Sequence, residues 1–364
     1  MSENSEIKVT VYLSTYNQEE YVAQALDSIV MQRTSFPVEV IVADDCSTDG
    51  TQEIINQYRD KYPNLIRTYY PEKNVGGCRK LTNCIDLGLF KGEYLAYLEG
   101  DDYWLNENRL QMLVDFLDAH KGYSRVSHKR LVVDENNKEK GFDISGDVLN
   151  KPFYIEDFLN GKQYSDFGSV FRNYFKEVGN KYYPLLLASR NVCDFQDMFI
   201  TQDFGPVFVM DECLGVYRSR SIAGASNYNS ITTQKARCKE NIRLAEAVEN
   251  FYKDKYDLTP MIRHNQKRLL NEAIRNKDAS LFQEVRDLIS SDTIRELIPE
   301  QLYLAKRGKR QDEVNFIQSN LFGEERKGLL VSYLKYCAYR IQTKITGNRI
   351  DEKVRGTVNV KTND

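Results

Sequence analysis

Glu99, Asp101 and Asp102 crowd three carboxylates into four residues, directly after the apolar stretch from Glu93 to Leu98. Such a cluster repels itself and loses hydration unless a cation sits among it. A divalent metal held by oxygen ligands at the C-terminal end of a strand relieves both costs. The plainer alternative is an acidic start to a helix that opens near Asn106. Further along, Asp194 and Asp197 lie in the stretch from Asn191 to Asp197 and supply carboxylates that can take a proton.

The elements that must position these acids alternate through the first hundred residues. Residues 7–13 are rich in β-formers, and residues 19–31 carry apolar side chains at Val22, Leu26, Ile29 and Val30, which is helical spacing. A second strand is predicted over 38–43, and Ser47, Thr48 and Asp49 open the next helix through Ile54, Ile55 and Tyr58. A third strand covers 66–70, Gly76 and Gly77 precede a helix through Leu81, Ile85 and Leu89, and a fourth strand covers 93–98. This β-α-β-α-β-α-β order predicts a mostly parallel sheet with helices on both faces, and ligands collect at the carboxyl ends of such strands. The polar residues Ser14 to Asn17, Asp44 and Asp45, Lys73 and Asn74, and Glu99 to Asp102 all fall on that rim. Each group alone has an ordinary reading as a turn or cap.

Residues 11–17, 40–51, 74–76 and 92–104 together resemble the signature of family 2 glycosyltransferases of the bacterial surface-polysaccharide type, which have the GT-A (Rossmann-like) fold. The resemblance is dense over about residues 5–120 and thinner to about 226. It implies a nucleotide-sugar donor, with a UDP-sugar the expected form, and a glycan or lipid-linked acceptor. Ser14, Thr15, Tyr16, Asn17 and Asp45 stand where the family holds the base; Lys73, Asn74 and Arg79 stand beside base and ribose. Glu99, Gly100 and Asp101 match its DxD element. Asp101 is then the ligand for Mn2+ or Mg2+, assisted by Glu99 or Asp102. The resemblance also implies a general base shortly before the Asp211–Glu212 and Tyr217–Arg218 pairs. Asp194 precedes Tyr217 by 23 residues, the interval kept in the subgroup whose base motif is Gly-Asp-Trp, so Asp194 is the expected base and Asp197 the fallback.

The chemistry accounts for these residue types. Departure of a nucleoside diphosphate leaves charge on phosphate that a hard cation stabilises, and the attacking hydroxyl must lose a proton to a carboxylate on the opposite face. One such carboxylate, with no second nucleophile, implies inversion at the anomeric carbon. Two positions depart from the family pattern. Arg220 replaces a His often found two residues after the Arg of Tyr217–Arg218, so Arg218 and Arg220 are expected to bind diphosphate oxygens. Cys193 replaces the usual Gly of the base motif. On the acceptor side, Trp104 and Ser169 are candidates, the latter within a segment, 166–172, that resembles the family's acceptor wall; Tyr164, Tyr182 and Tyr183 are candidates for the same groove.

Composition bounds the alternatives. The 364 residues carry a net charge of −3 and 41% hydrophobic residues, so no cationic excess serves a general nucleic-acid binder. No apolar run approaches the roughly 18 residues of a membrane span. The polar start is unlike a signal peptide. Seven cysteines without ligand or disulfide spacing point to a reducing cytoplasm. The three histidines, His120, His128 and His264, lack ligand spacing.

The expected organisation is a glycosyltransferase domain over 1–228, with a nucleotide-sugar half (1–120) and an acceptor half (121–228). A helical C-terminal region over 229–350 and a disordered tail over 351–364 follow. Leu330, Leu334, Cys337, Ile341 and Ile345 share one helical face flanked by cations, with no acid from Arg326 to Arg349. Such a segment, 326–349, has the pattern of a peripheral contact with the inner face of a plasma membrane, or of a docked helix with a solvated basic face. A sugar-1-phosphate nucleotidyltransferase is the alternative enzyme, but it requires a Gly-rich, Arg-bearing loop after the first strand. The acids at Asp45, Asp101 and Asp194 weigh against a non-catalytic nucleotide-sugar-binding protein.

Overall fold

The computed structural model describes residues 6–144, 146–165, 168–219, 233–253, 255–288, 291–321 and 329–345. The chain divides into two compact units between Thr232 and Thr233. The stretch 220–232 with Arg220, the tail 351–364, and positions Arg326, Lys327 and Arg349 lie outside the described residues.

Among the described residues of the first unit, ten strands join in one sheet. Its parallel half is β3 (Ile66–Tyr69), β2 (Val38–Asp44), β1 (Val9–Thr15) and β4 (Tyr94–Glu99), in that spatial order. These strands are near-continuous apolar runs because helices cover both faces. Val11, Leu13, Val40, Val42, Ala96 and Leu98 sit in one core with Val22, Ala25, Leu26 and Ile29 of α1 (Val22–Val30). Full burial of each large aliphatic side chain contributes about 1.5–3 kcal/mol. Helix α2 (Thr51–Lys61) joins β2 to β3, and α3 (Gly77–Asp86) joins β3 to β4.

The remaining strands make the sheet mixed. Strand β9 (Val170–Arg172) runs antiparallel to β4 and to β6 (Arg125–Val133), while β10 (Val207–Arg218) runs parallel to β6. The two-residue β5 (Tyr103–Trp104) closes antiparallel against Gly215 and Val216 of β10. Short strands β7 (Glu139–Phe142) and β8 (Lys151–Phe153) add to β6 and β10. The expected parallel character therefore holds for the first four strands and gives way beyond them, because the later connections return by antiparallel pairs.

Between β1 and β4 the chain order reverses, since β2 lies on one side of β1 and β4 on the other. That reversal is where an open α/β sheet leaves a crevice at its carboxyl ends. Helix α4 (Arg109–Ala119) follows β5, and α5 (Ile155–Leu159), α6 (Phe175–Val178), α7 (Tyr183–Leu186) and α8 (Asp194–Gln202) precede β10.

The second unit is helical. Its first helix, Gln234–Tyr252, starts at Thr233, whose Oγ1 accepts a hydrogen bond from the Ala236 N–H at 3.1 Å and caps the helix. Leu269, Leu270, Ile274, Phe282, Leu302 and Ile317 from the following helices form its core. The helix Leu329–Ile345 packs there through Leu329 and Tyr333, while Leu334, on the predicted apolar face, is 56% exposed. Among the described residues, no helix is long and apolar enough to cross a membrane.

Candidate active site

The loops after β1 and β2 are tied together before they face a ligand. Asn17 adopts a positive φ of 50°, which Asn tolerates because its short side chain bonds locally. Its Oδ1 accepts from the Thr48 N–H at 2.8 Å, and its own N–H donates to Ser47 Oγ at 2.8 Å. Asp44, fully buried, accepts from Thr15 Oγ1, the Ser47 N–H and Gln52 Nε2. Thr15 and Asn17 are therefore scaffold, and Ser14 and Tyr16, the latter 38% exposed, are the members of that stretch left facing outward.

Asp45 has a structural part beside the one expected. Its two carboxylate oxygens accept from the Val75 and Gly76 N–H groups, each at 2.8 Å, and its carbonyl accepts from Asn74 Nδ2 at 2.9 Å. The carboxylate thus fixes the loop before α3, leaving Lys73 and Arg79 exposed at its ends. Gly76 has φ +87°, and a Cβ there would lie 2.4 Å from Arg190 Cγ. Only glycine allows that approach without strain.

In the acidic turn, the Gly100 N–H donates to the Ser14 carbonyl at 2.9 Å, and a Cβ on Gly100 would stand 2.4 Å from Gln18 Oε1. This close approach presses the turn against the end of β1. Glu99 is half-buried, and desolvation followed by the charge of Asp101 pushes its carboxyl up to about 8, with Lys80 opposing. Lys80 itself is buried, its Nζ donating to the Thr15 carbonyl at 2.9 Å; burial lowers its pKa while Glu99, Asp45 and Asp44 favour its charge. Sequence reasoning missed Lys80, because nothing in a helical run marks one lysine as turned inward.

Asp102 is not left for a metal. Its Oδ1 accepts from the Arg218 N–H at 2.9 Å and its Oδ2 from Arg130 Nη1 at 2.8 Å. Burial still pushes its carboxyl up to about 7. Arg218 corrects a second expectation. Its guanidinium is buried between Tyr21 and Tyr103, at 4.9 and 5.0 Å from the ring centroids, and donates to the Asp101 carbonyl at 2.6 Å and to Gln24 Oε1 at 2.5 Å. It anchors the acidic turn and does not face a diphosphate.

The two base candidates separate cleanly. Asp197 is buried, bonded by Arg125 Nη2 and by Tyr174 OH, the latter at 2.5 Å. A carboxylate so engaged cannot serve as a base, and the fallback role is withdrawn. Asp194 opens α8, is exposed, and has its own helix N-terminus beside it, with the Phe195 N–H donating to Oδ1 at 3.0 Å. Although the residue is exposed, protein packed around its carboxylate raises its pKa, outweighing those backbone bonds. The loop that carries Asp194 is tied to the loop before α3, the Cys78 N–H donating to the Arg190 carbonyl at 3.1 Å and Arg190 Nη2 to Asn74 Oδ1 at 2.6 Å.

The acceptor expectations are corrected too. Trp104 is 2% exposed, with the Arg109 guanidinium 4.2 Å over its ring. Arg109 Nε donates to His128 Nε2 at 2.9 Å, so that histidine is a neutral core partner, its pKa held well below the usual range by burial. Ser169 is buried and accepts from Arg125 Nη1 at 3.1 Å, so neither it nor Trp104 presents a surface to a sugar. Tyr164 and Tyr182 are likewise buried, and the Tyr183 hydroxyl donates to Asp86 at 2.7 Å. Residues 166 and 167 of the expected acceptor segment lie outside the described residues.

Residues 10–182 match the profile of glycosyl transferase family 2. An uncharacterised protein of Mycobacterium tuberculosis is 41% identical over 150 residues, covering 39% of this chain and 43% of that protein. Poly(ribitol-phosphate) beta-N-acetylglucosaminyltransferase TarS of Staphylococcus aureus is 37% identical over 117 residues, 31% of this chain and 19% of that protein. UDP-Glc:alpha-D-GlcNAc-diphosphoundecaprenol beta-1,3-glucosyltransferase WfaP of Escherichia coli is 31% identical over 144 residues, 40% of this chain and 51% of that protein. The chain thus spans about half or less of the length of these relatives. The crystal structure of S. aureus TarS 1–349 in complex with UDP-GlcNAc superposes with a TM-score of 0.52 at 18% identity, covering 98% of this chain and 97% of that one, a likeness of fold.

Proposed function

We propose that this chain, a member of glycosyl transferase family 2 through residues 10–182, moves a sugar from a nucleotide donor, in the first instance a UDP-sugar, to a glycan or lipid-linked acceptor of a surface polysaccharide. The observation that carries the reading is an exposed Asp194 on a loop tied, through Arg190, Cys78 and Asn74, to the loop that Asp45 holds at the rim where the sheet order reverses, with Asp197 locked away in the core. The name of WfaP, a UDP-Glc-dependent glucosyltransferase, supports a UDP-sugar donor.

Tyr16 offers an exposed ring to the base, and Lys73 and Arg79 offer cations toward ribose and phosphate. Asp45 acts by holding the Val75–Gly76 backbone against the nucleotide, and it keeps lone pairs for a ring N–H. Among the described residues, no three His, Cys, Asp or Glu side chains enclose a metal. The donor set still fits Mn2+ or Mg2+, because such ions are held by one or two carboxylates plus substrate phosphates. Asp101 would hold the ion with Glu99 assisting, and the repulsion that raises Glu99 would be relieved. When bound, the ion supplies Lewis-acid stabilisation of the departing diphosphate. Asp194 accepts the proton of the acceptor hydroxyl, and its raised pKa suits that task. With a single carboxylate opposite the leaving group, the product inverts the donor's anomeric configuration.

The C-terminal helix Leu329–Ile345 leaves Leu334 and Lys335 exposed, which fits a peripheral contact with a membrane that carries a lipid-linked acceptor. Screening nucleotide sugars for divalent-dependent turnover, with NMR of the product anomer, tests the whole reading. Absence of turnover with every nucleotide sugar, or metal-independent binding of UDP, counts against it.

A further inference from the structure

Two of the free cysteines meet beside the base. Cys78, fully buried in the first turn of α3, and half-buried Cys193, one residue before Asp194, have their sulfurs 2.6 Å apart across 115 residues of sequence. The backbones around them are already joined. The Cys78 N–H donates to the Arg190 carbonyl at 3.1 Å, and Arg190 Nη2 donates to Asn74 Oδ1 at 2.6 Å. The loop that Asp45 holds and the loop that carries Asp194 are therefore one packed seam, with the sulfur pair at its inner end.

We propose that Cys78 and Cys193 are a reversible disulfide site that couples the position of Asp194 to the thiol redox state of the surroundings. The reactant is a low-molecular-weight disulfide. Cys193, the less buried of the two, loses its proton to solvent and attacks one sulfur of that reagent, releasing one thiol and leaving a mixed disulfide. Cys78 then loses its proton and attacks the Cys193 sulfur, releasing the second thiol and closing the bridge. Overall the two cysteine thiols are oxidised as the reagent is reduced to two thiols. The hydrogen bond with Cys78, burial, and the charges of Asp194 and Glu99 hold the Cys193 thiol well above its usual pKa, so that little thiolate is present at neutral pH and the bridge forms slowly.

Closing the bond draws Cys193 toward α3 and carries Asp194 with it. Closure shortens the separation from 2.6 Å to about 2.05 Å; since a displacement of about 1 Å at a catalytic group costs on the order of 100-fold in rate, the oxidised enzyme is expected to turn over roughly tenfold more slowly. The bridge itself does not depend on the proposed activity, whereas this rate effect rests on Asp194 being the base.

The test equilibrates the full chain with graded ratios of oxidised to reduced glutathione, alkylates free thiols and maps peptides without reduction. Turnover and amide hydrogen exchange over 189–195 are followed in parallel. The expected result is a peptide pair joined at Cys78 and Cys193, slowed exchange over that loop, and reduced turnover restored by dithiothreitol. Cys78→Ser and Cys193→Ser should each abolish the response, and Cys46→Ser should retain it. Glutathione left on Cys193 without closure, or no bridge at all, overturns the site; a bridge that leaves turnover unchanged overturns the coupling. If no nucleotide sugar turns over, peptide mapping and exchange still decide the bridge and its effect on the loop.

Discussion

Arg125 and Asp197 form an ion pair in which the guanidinium side chain is fully buried and the carboxylate side chain 5% exposed. Seventy-two residues separate them, on β6 and α8. The pair anchors the first turns of α8 to the sheet and so fixes where Asp194, one turn earlier, projects. One acid of the α8 start is structural, and the other is left for chemistry.

Asp194→Asn is therefore expected to retain fold and UDP affinity while lowering turnover by about 10²–10⁴. The raised pKa gives two further signs. Activity needs the carboxylate, so wild-type kcat should fall as pH drops through a value above the ordinary aspartate range. Stability runs the other way: the folded state prefers the protonated acid, so its contribution is full below the unfolded pKa and is lost as pH rises through the folded one. At neutral pH Asp194→Asn should then melt no lower than wild type. A pH–rate profile and thermal scans check both.

Asp197→Asn should behave in the opposite way. Removing the charge strands the buried Arg125 guanidinium, and breaking a buried pair costs about 3–5 kcal/mol. A lowered denaturation midpoint in urea is expected, with any loss of activity tracking the folded fraction. A dead enzyme of unchanged stability would return Asp197 to the list of bases.

Asp101→Asn should abolish metal-dependent UDP binding, read by calorimetry with and without Mn2+. With the neighbouring charge gone, the Glu99 carboxyl should fall from about 8 toward its ordinary range. Unchanged metal-dependent affinity would remove Asp101 from the site.

Asp45→Asn places an amide N–H₂ against one of the Val75 and Gly76 N–H donors. The loss is expected at about 1–3 kcal/mol in UDP affinity, with faster proteolysis over 73–79 and little change in binding of inorganic pyrophosphate. Equal weakening of UDP and pyrophosphate would show that the loop does not serve the base and ribose.

How much of this was legible beforehand depends on the range of the interaction. Strands β1 to β4 were readable because each is a local apolar run, and the elements found differ from those expected by a few residues at their ends. The acidic turn was readable because its three carboxylates are adjacent. What failed were pairings between distant residues. Arg125 with Asp197, Arg130 with Asp102, and Arg109 over Trp104 leave no mark in local spacing. Local spacing therefore points Trp104, Ser169 and Arg218 to substrates, whereas each serves a buried partner. The apolar face expected at Leu334 was displaced for a related reason: Tyr333 and Tyr336 fill the core-facing positions, Tyr336 meeting Tyr303 at 5.6 Å.

Strand β10 carries one last implication. It runs from Val207, opposite Arg125, to Arg218, which holds the acidic turn, and its register against β6 slips between Met210 and Gly215. Side chains on a strand alternate faces, so a single-residue insertion or deletion there, unless absorbed by the bulge, would turn Tyr217 and Arg218 to the wrong side. The slip is thus a phase adjuster: it sets which face of the sheet the last residues of β10 present, and with it whether Arg218 reaches the acidic turn.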